Sequence, residues 1–270
     1  MASIPFIHLI IKYCTHSIPE RQAEYDYCLT QNLANPFICE IHNLCDPNIS
    51  TPKVFTRHPK YHEQEMSGKY LKFSDAFAYA NKHLHGKVVC IANLDTFLSH
   101  QSAWDTSINL LRHGVVLALS RTEFDGKSTP FKDPDFQSLY YAHSQDAWIF
   151  ESPFIVQDTD FFLGTLGCDN ALAERIQRSG RIPLNSPNSY QLLHFDQARR
   201  KTARNQASIH AIETFGQERI KPEESGQLLL PDFDCVQSLD VLAGILGLSA
   251  LERYQIACLI MSSKIKVRNP

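Results

Sequence analysis

The chain lacks the short glycine motifs that mark several common enzyme classes. It contains no Gly-x-Gly-x-x-Gly and no phosphate-loop Gly-x-x-x-x-Gly-Lys, which argues against a dehydrogenase and against a P-loop NTPase. Gly-x-Ser-x-Gly is also absent, which argues against an α/β-hydrolase.

The chain also lacks metal-knuckle cysteine pairs, long apolar runs and a strong net charge. None of its 8 cysteines forms a Cys-x-x-Cys pair, and several lie in apolar segments, so we expect reduced thiols in a cytoplasmic protein. No run of about 18 apolar residues occurs, so we expect no transmembrane segment. The net charge of -3 predicts no general affinity for nucleic acid.

Strand-like and helix-like segments alternate along the chain. A strand is predicted at Phe6–Tyr13, an amphipathic helix at Glu20–Leu33 and a second strand at Phe37–Leu44. The segment Asp46–Gly68 contains three prolines and many polar residues, and we expect it to be an irregular excursion.

The next unit has the clearest pattern. Ser74 is expected to cap a helix at Asp75–His85, and the wholly apolar run Val88–Ala92 is typical of a strand that is covered on both faces. This rhythm predicts an α/β domain with a mainly parallel sheet flanked by helices, and such sheets bind ligands at the carboxyl ends of their strands. Later elements are predicted at Trp104–His113, Val115–Leu119, Ala147–Phe150, Ala171–Ser179, Ile182–Leu184 and Tyr190–Phe195.

The C-terminal part has a different composition. The apolar segments Val241–Leu246 and Leu251–Met261 predict a helical extension over residues 216–270, which follows a catalytic domain over residues 1–215. These segments favour packing or homodimerisation over disorder.

Polar residues follow the two best-defined strands. Asn93 and Asp95 come directly after Val88–Ala92, where a carboxylate can bind a divalent cation or simply begin a turn. Arg121 follows Val115–Leu119, where its planar fork can hold a phosphate or form a surface salt bridge. We therefore expect these three residues on the donor side of a ligand site.

Four further polar positions have two interpretations each. Asp169 precedes a helix and can be its N-cap or a general base, and His194 can be a metal ligand or a buried core histidine. Asp146 lies at the amino end of its strand, the less usual edge for catalysis, so we assign it a structural or acceptor-side role. The same role is assigned to Trp148 and Asn170.

The order of these motifs resembles a known group. Ile91-Ala92-Asn93-Leu94-Asp95, Leu119-Ser120-Arg121, Ser144–Phe150, Leu163–Asn170 and Leu193-His194 follow one another here. They resemble a group of bacterial, algal and giant-virus proteins related to GT-A-fold glycosyltransferases. Arg21-Gln22-x-Glu24, Cys28-Leu29-x-x-Asn32 and Ile41-His42 also resemble that group, so the resemblance covers residues 5–200.

The resemblance implies a site for a nucleotide diphosphate sugar, with a carbohydrate or protein hydroxyl as acceptor. Asp95 would be the last acidic residue of an Asp-x-Asp-like element, His194 a further ligand of Mn²⁺ or Mg²⁺, and Asp169 the base. Many such enzymes carry an acidic residue where this chain has Asn93. That departure favours a non-catalytic binding or scaffold protein, and a nucleotidyltransferase is a second alternative.

Overall fold

The structure is a computed structural model, and it describes residues 6–200 apart from 67, 69, 103, 113, 125–129, 132–144, 166 and 186–189. The predicted C-terminal extension at residues 216–270, which was expected to pack or to form a homodimer, lies outside the described residues. Ser144 also lies outside them. No described helix is long and apolar enough to cross a bilayer.

Strands and helices alternate as the sequence predicts. The strands are β1 Ile7–Ile11, β2 Ile38–Cys45, β3 Tyr61–Glu65, β4 Val88–Ala92, β5 Thr96–Leu98, β6 Val115–Leu119, β7 Arg121–Phe124, β8 Pro130–Phe131, β9 Ala147–Glu151, β10 Ile182–Leu184 and β11 Leu192–Phe195. The helices are α1 Pro19–Ala34, α2 Lys53–Thr56, α3 Phe73–His83, α4 Ser107–Arg112, α5 Cys168–Arg178 and α6 Gln197–Arg200, with a 3₁₀ turn at Trp104–Thr106.

The larger sheet has the strand order β10–β6–β9–β4–β1–β2–β3. The pairs β1–β2, β1–β4, β2–β3 and β6–β10 are parallel, whereas β9 runs antiparallel to both β4 and β6. The prediction of a mainly parallel α/β sheet flanked by helices is therefore confirmed. The reversed direction of β9 was not predicted, and it matters for the site.

Apolar side chains cover both faces of this sheet. Cys90 of β4 packs in a core with Leu29 of α1 and Leu110 of α4. Its neighbours Val89 and Ile91 point to the other face, into a core built with α3 and α5. Successive side chains of a strand alternate between faces, so a strand buried on both sides needs the continuous apolar run that Val88–Ala92 supplies.

The smaller sheet has the order β5–β11–β7–β8. Strand β11 pairs antiparallel with β5 and parallel with β7. Its residue Phe195 packs with Tyr27 of α1 and Phe124 of β7. The smaller sheet thus rests against α1, close to the end of β4, because the Phe195 amide donates to the Asp95 carbonyl at 3.0 Å.

Two local predictions were wrong. The segment predicted to be irregular at residues 46–68 contains α2 and the edge strand β3, whose last four residues are exposed and polar. Backbone pairing with β2 forms this strand, so it carries no alternating pattern. Ser74 does not cap α3, because that helix begins at Phe73 and the Ser74 hydroxyl instead donates to Asp160 at 3.2 Å.

Candidate functional site

The crevice of the larger sheet lies between β1 and β4. The chain runs from β1 outward to β2 and β3 and then returns to β4 on the other side of β1, so the strand order reverses at this pair. Open α/β sheets bind ligands at the carboxyl ends of the strands where such a reversal occurs. Asn93 and Asp95 follow β4 at that position.

Asp95 is held by two cationic side chains. Arg21 of α1 donates through Nη2 to Asp95 Oδ2, and His194 Nε2 lies 3.2 Å from the same oxygen. Arg21 Nη1 also donates to Glu24 Oε2 at 2.9 Å and lies 3.0 Å from Asp196 Oδ1. Because these groups are largely buried, salt screens their interaction much less than at the surface.

His194 lies between two carboxylates. Its Nδ1 is 2.9 Å from Glu123 Oε2, on the other side of the ring from Asp95. Burial and the neighbouring Arg121 act to lower the pKa of His194, but Asp95 and Glu123 outweigh them and raise it to about 9. The ring is therefore an imidazolium at neutral pH, and both of its nitrogens donate.

These contacts bear on the predicted divalent cation. An imidazole binds a metal ion only through an unprotonated nitrogen, whereas His194 carries both protons, and Asp95 Oδ2 already accepts a hydrogen bond from Arg21. As the side chains stand, the pair does not fit Mn²⁺ or Mg²⁺. An ion would have to displace the guanidinium and a proton, so metal binding at Asp95 and His194 stays a prediction.

Arg121 extends these contacts toward β9. Its Nε lies 3.2 Å from Glu123 Oε1, and its Nη1 donates to Asp146 Oδ2 at 3.3 Å. Asn93 Nδ2 donates to the other Asp146 carboxylate oxygen at 2.6 Å. The result is one unbroken line of polar contacts, which we call the charge series. It consists, in order, of Asp95, His194, Glu123, Arg121, Asp146 and Asn93.

The expectation that Asp146 lies at the less usual edge of the sheet was wrong. Strand β9 is antiparallel to β4 and β6, so its amino end lies beside their carboxyl ends. The Asp146 amide donates to the Leu119 carbonyl at 2.9 Å, and the Asp146 carbonyl accepts from the Asn93 amide at 3.0 Å. Asp146 therefore lies at the crevice edge, in direct contact with Asn93 and Arg121.

Asp169 is not a helix cap. Helix α5 begins at Cys168, and the N-cap residue is Gly167 without a side-chain cap bond. Burial, and next the negative charge of Asp146, raise the pKa of Asp169 to about 8, although it accepts hydrogen bonds from the Cys168 thiol and the Gln145 amide. The carboxyl group is thus mostly protonated at neutral pH.

The two remaining predicted residues differ in their surroundings. Trp148 is wholly buried and packs edge-on against Phe73, with ring centroids 6.5 Å apart. Of the two roles predicted for Trp148, structural or acceptor-side, this contact fits the structural one. Asn170 follows Asp169 in the first turn of α5 and is half-buried.

Several charged residues of the site were missed as functional candidates. Arg21 and Glu24 were identified only as members of a motif. No role was predicted for Glu123 or Asp196. The available signal was in α1, where Arg21 and Glu24 share the buried face with Cys28. Charged residues on the apolar face of an amphipathic helix need a buried partner, which here is the end of β4.

A second polar cluster lies away from the crevice and was also missed. It consists of His8 on β1 and of Glu40 and His42 on β2. His8 Nδ1, His42 Nε2 and Glu40 Oε2 lie 3.1, 3.3 and 3.4 Å from one another. Burial lowers the pKa of both histidines, that of His42 to about 4, so both rings are neutral at pH 7. The available signal was Glu40-x-His42, because alternate strand residues share a face.

Comparison with known proteins finds only a weak structural similarity. No family model and no curated protein matches the chain. Residues 1–349 of S. aureus TarS, in complex with UDP-GlcNAc, align with 14% identity and a TM-score of 0.46 over 72% of this chain and 59% of that one. A second structure of S. aureus TarS aligns with 14% identity and a TM-score of 0.45, over 72% of this chain and 37% of that one. The chain covers less than two thirds of either TarS chain, and a likeness of this degree carries no functional argument.

Proposed function

We propose that this protein transfers a sugar from a nucleotide diphosphate sugar to a hydroxyl acceptor. One observation carries the proposal: the charge series joins the end of β4, beside which the strand order reverses, to Asp146, whose charge acts on Asp169. Doubly wound sheets bind nucleotides at this point. The ordered motifs that resemble GT-A-fold glycosyltransferases supply the particular chemistry.

Asp169 is the base in this proposal. The acceptor oxygen attacks the anomeric carbon, the bond from that carbon to the diphosphate breaks, and the Asp169 carboxylate takes the hydroxyl proton. This single in-line displacement inverts the anomeric configuration and releases a nucleoside diphosphate. A carboxylate with a pKa near 8 is a stronger base than an ordinary one, because base strength rises with pKa.

Arg121 is the residue that we assign to the donor diphosphate. Its side chain is 19% exposed, whereas those of Arg21 and His194 are 5% and 1% exposed. A guanidinium fork matches two phosphate oxygens, so Arg121 can exchange its carboxylate partners for the donor. Arg21 and His194 are positioning residues, since they act through Asp95.

A divalent cation remains part of the hypothesis, although no step above depends on it. Mn²⁺ or Mg²⁺ would stabilise the leaving diphosphate if the donor brought the ion and Asp95 released Arg21. Calorimetric titration of the donor with and without Mn²⁺ tests this. An unchanged dissociation constant would mean that Asp95 has no metal role.

The base is tested by Asp169→Asn, with Asp105→Asn as the control at an exposed acid. We expect Asp169→Asn to abolish transfer and to leave donor binding intact by calorimetry, whereas Asp105→Asn transfers at the wild-type rate. For the wild type, kcat/KM should rise about tenfold between pH 7 and pH 9, because the ionised fraction of Asp169 rises through its pKa. Transfer by Asp169→Asn near the wild-type rate contradicts the assignment.

A non-catalytic binding protein of the same fold is the second candidate, and Asn93 favours it. Its amide donates to Asp146, so Asn93 serves within the charge series where related enzymes carry an acid. Titration with a panel of nucleotide sugars separates the two. Binding without transfer supports this candidate, and transfer with any donor excludes it.

A further inference from the structure

We propose that His8, Glu40 and His42 bind a zinc ion on the face of the larger sheet that α3 covers. The two histidines and the carboxylate come from neighbouring parallel strands, where His8 and Glu40 are register partners and His42 follows two residues later. Two histidines and one glutamate are an established ligand set for Zn²⁺ with an open fourth position.

The geometry carries this proposal. In tetrahedral zinc sites with bonds near 2.0–2.1 Å, neighbouring ligand atoms lie about 3.3 Å apart. His8 Nδ1, His42 Nε2 and Glu40 Oε2 are separated by 3.1, 3.3 and 3.4 Å, so the same three atoms already form one face of such a tetrahedron. An ion can be placed at bonding distance from all three without a change of backbone.

The surroundings suit a metal ion on two counts. The outer nitrogen of His42, Nδ1, lies 3.1 Å from the Tyr79 hydroxyl of α3, and a hydrogen bond to this second nitrogen fixes the ring of a metal-binding histidine. Glu40 is 42% exposed, whereas His8 and His42 are 11% and 6% exposed, so the ion has an entry path on the Glu40 side. Lys87 near His8 opposes a cation, and the Glu40 charge offsets it.

The zinc site is separate from the crevice. His8 pairs with Val89, four residues before Asn93 on the adjoining strand, which corresponds to about 13 Å along the sheet. The proposal therefore does not rest on the sugar-transferase function. Zinc binding and transfer can each fail without the other.

The test uses the full-length protein without a histidine tag, stripped of metal with a chelator and titrated with Zn²⁺. We expect one zinc ion per chain by elemental analysis after dialysis, and a rise in Tm on zinc addition. Glu40→Gln should weaken zinc binding by at least about tenfold and remove the rise in Tm. It should leave the fold intact, because Glu40 is partly exposed. Glu65→Gln, at an exposed acid on β3, should bind zinc like the wild type.

Cobalt gives a second measurement that does not depend on stability. Co²⁺ at this site should show the intense visible absorption of four-coordinate cobalt, and Glu40→Gln should lose it. Absence of stoichiometric zinc from the wild type would overturn the proposal. So would equal zinc affinity of Glu40→Gln and the wild type, because the ion would then lie elsewhere.

Discussion

Asp169 should make the protein less stable as the pH rises, and this can be measured without any substrate. The folded protein holds the Asp169 proton up to a pKa of about 8, whereas the unfolded chain releases it near the ordinary value of 3.8. Between these values the folded state binds one proton more, so the free energy of unfolding falls with rising pH by up to about 1.4 kcal/mol per pH unit. Asparagine at this position cannot titrate and removes the effect.

The measurement is urea unfolding of the wild type and of Asp169→Asn at pH 5, 6 and 7. Taking the difference between the two proteins cancels the titration of the other groups. We expect the wild type to lose about 3 kcal/mol relative to Asp169→Asn across this range, from two pH units at the slope given by linkage. A difference that stays constant within about 0.5 kcal/mol, less than half of one pH unit of that slope, would show that Asp169 titrates normally and would refute the reasoning about its burial and Asp146.

Three further predictions concern the same network and the core. Arg21→Met removes the buried cation shared by Glu24, Asp95 and Asp196 and should cost about 3–5 kcal/mol in urea unfolding, whereas Lys72→Met, from an exposed pair, should leave the unfolding curve close to that of the wild type. The His194 ring should show the ¹⁵N shifts of an imidazolium at pH 7.5, because Asp95 and Glu123 outweigh burial and raise its pKa to about 9; neutral-ring shifts at that pH contradict the assignment. Trp148→Ala should destabilise the protein by about 3–5 kcal/mol through the cavity that it leaves, and Ile155→Ala, at a 78% exposed side chain, by less than about 0.5 kcal/mol.

The sequence predicts the sheet better than it predicts the site. The wholly apolar run Val88–Ala92 identifies a strand buried on both faces, because hydrophobic pattern reports burial directly. Strand β3 shows the limit of that method, since its last four residues are exposed and polar and backbone pairing at the sheet edge holds the strand. The sequence of a strand formed in this way shows no alternation of apolar and polar residues.

Most of the errors about the site arose because the sequence does not give the direction of a strand or its register with its neighbours. Asp146 was assigned to the wrong edge because an apolar run does not reveal which way its strand runs. His8 and Glu40 lie 32 positions apart in sequence and become neighbours only through the β1–β2 register. Asp169 has the residue type and position of a helix cap, and only the start of α5 at Cys168 shows that it does not cap the helix.

The reversed direction of β9 also determines which insertions would obstruct the crevice. A strand that enters at the crevice edge must leave at the opposite edge, so residues added just before Asp146 would crowd the proposed donor site. Residues added after Glu151 would emerge at the far edge, where the Ser152 carbonyl accepts a hydrogen bond from the Gly86 amide. Ser152 and Phe154 are buried there, but Ile155 is 78% exposed, so a fluorescent label at Ile155 would report on the protein and leave the crevice accessible.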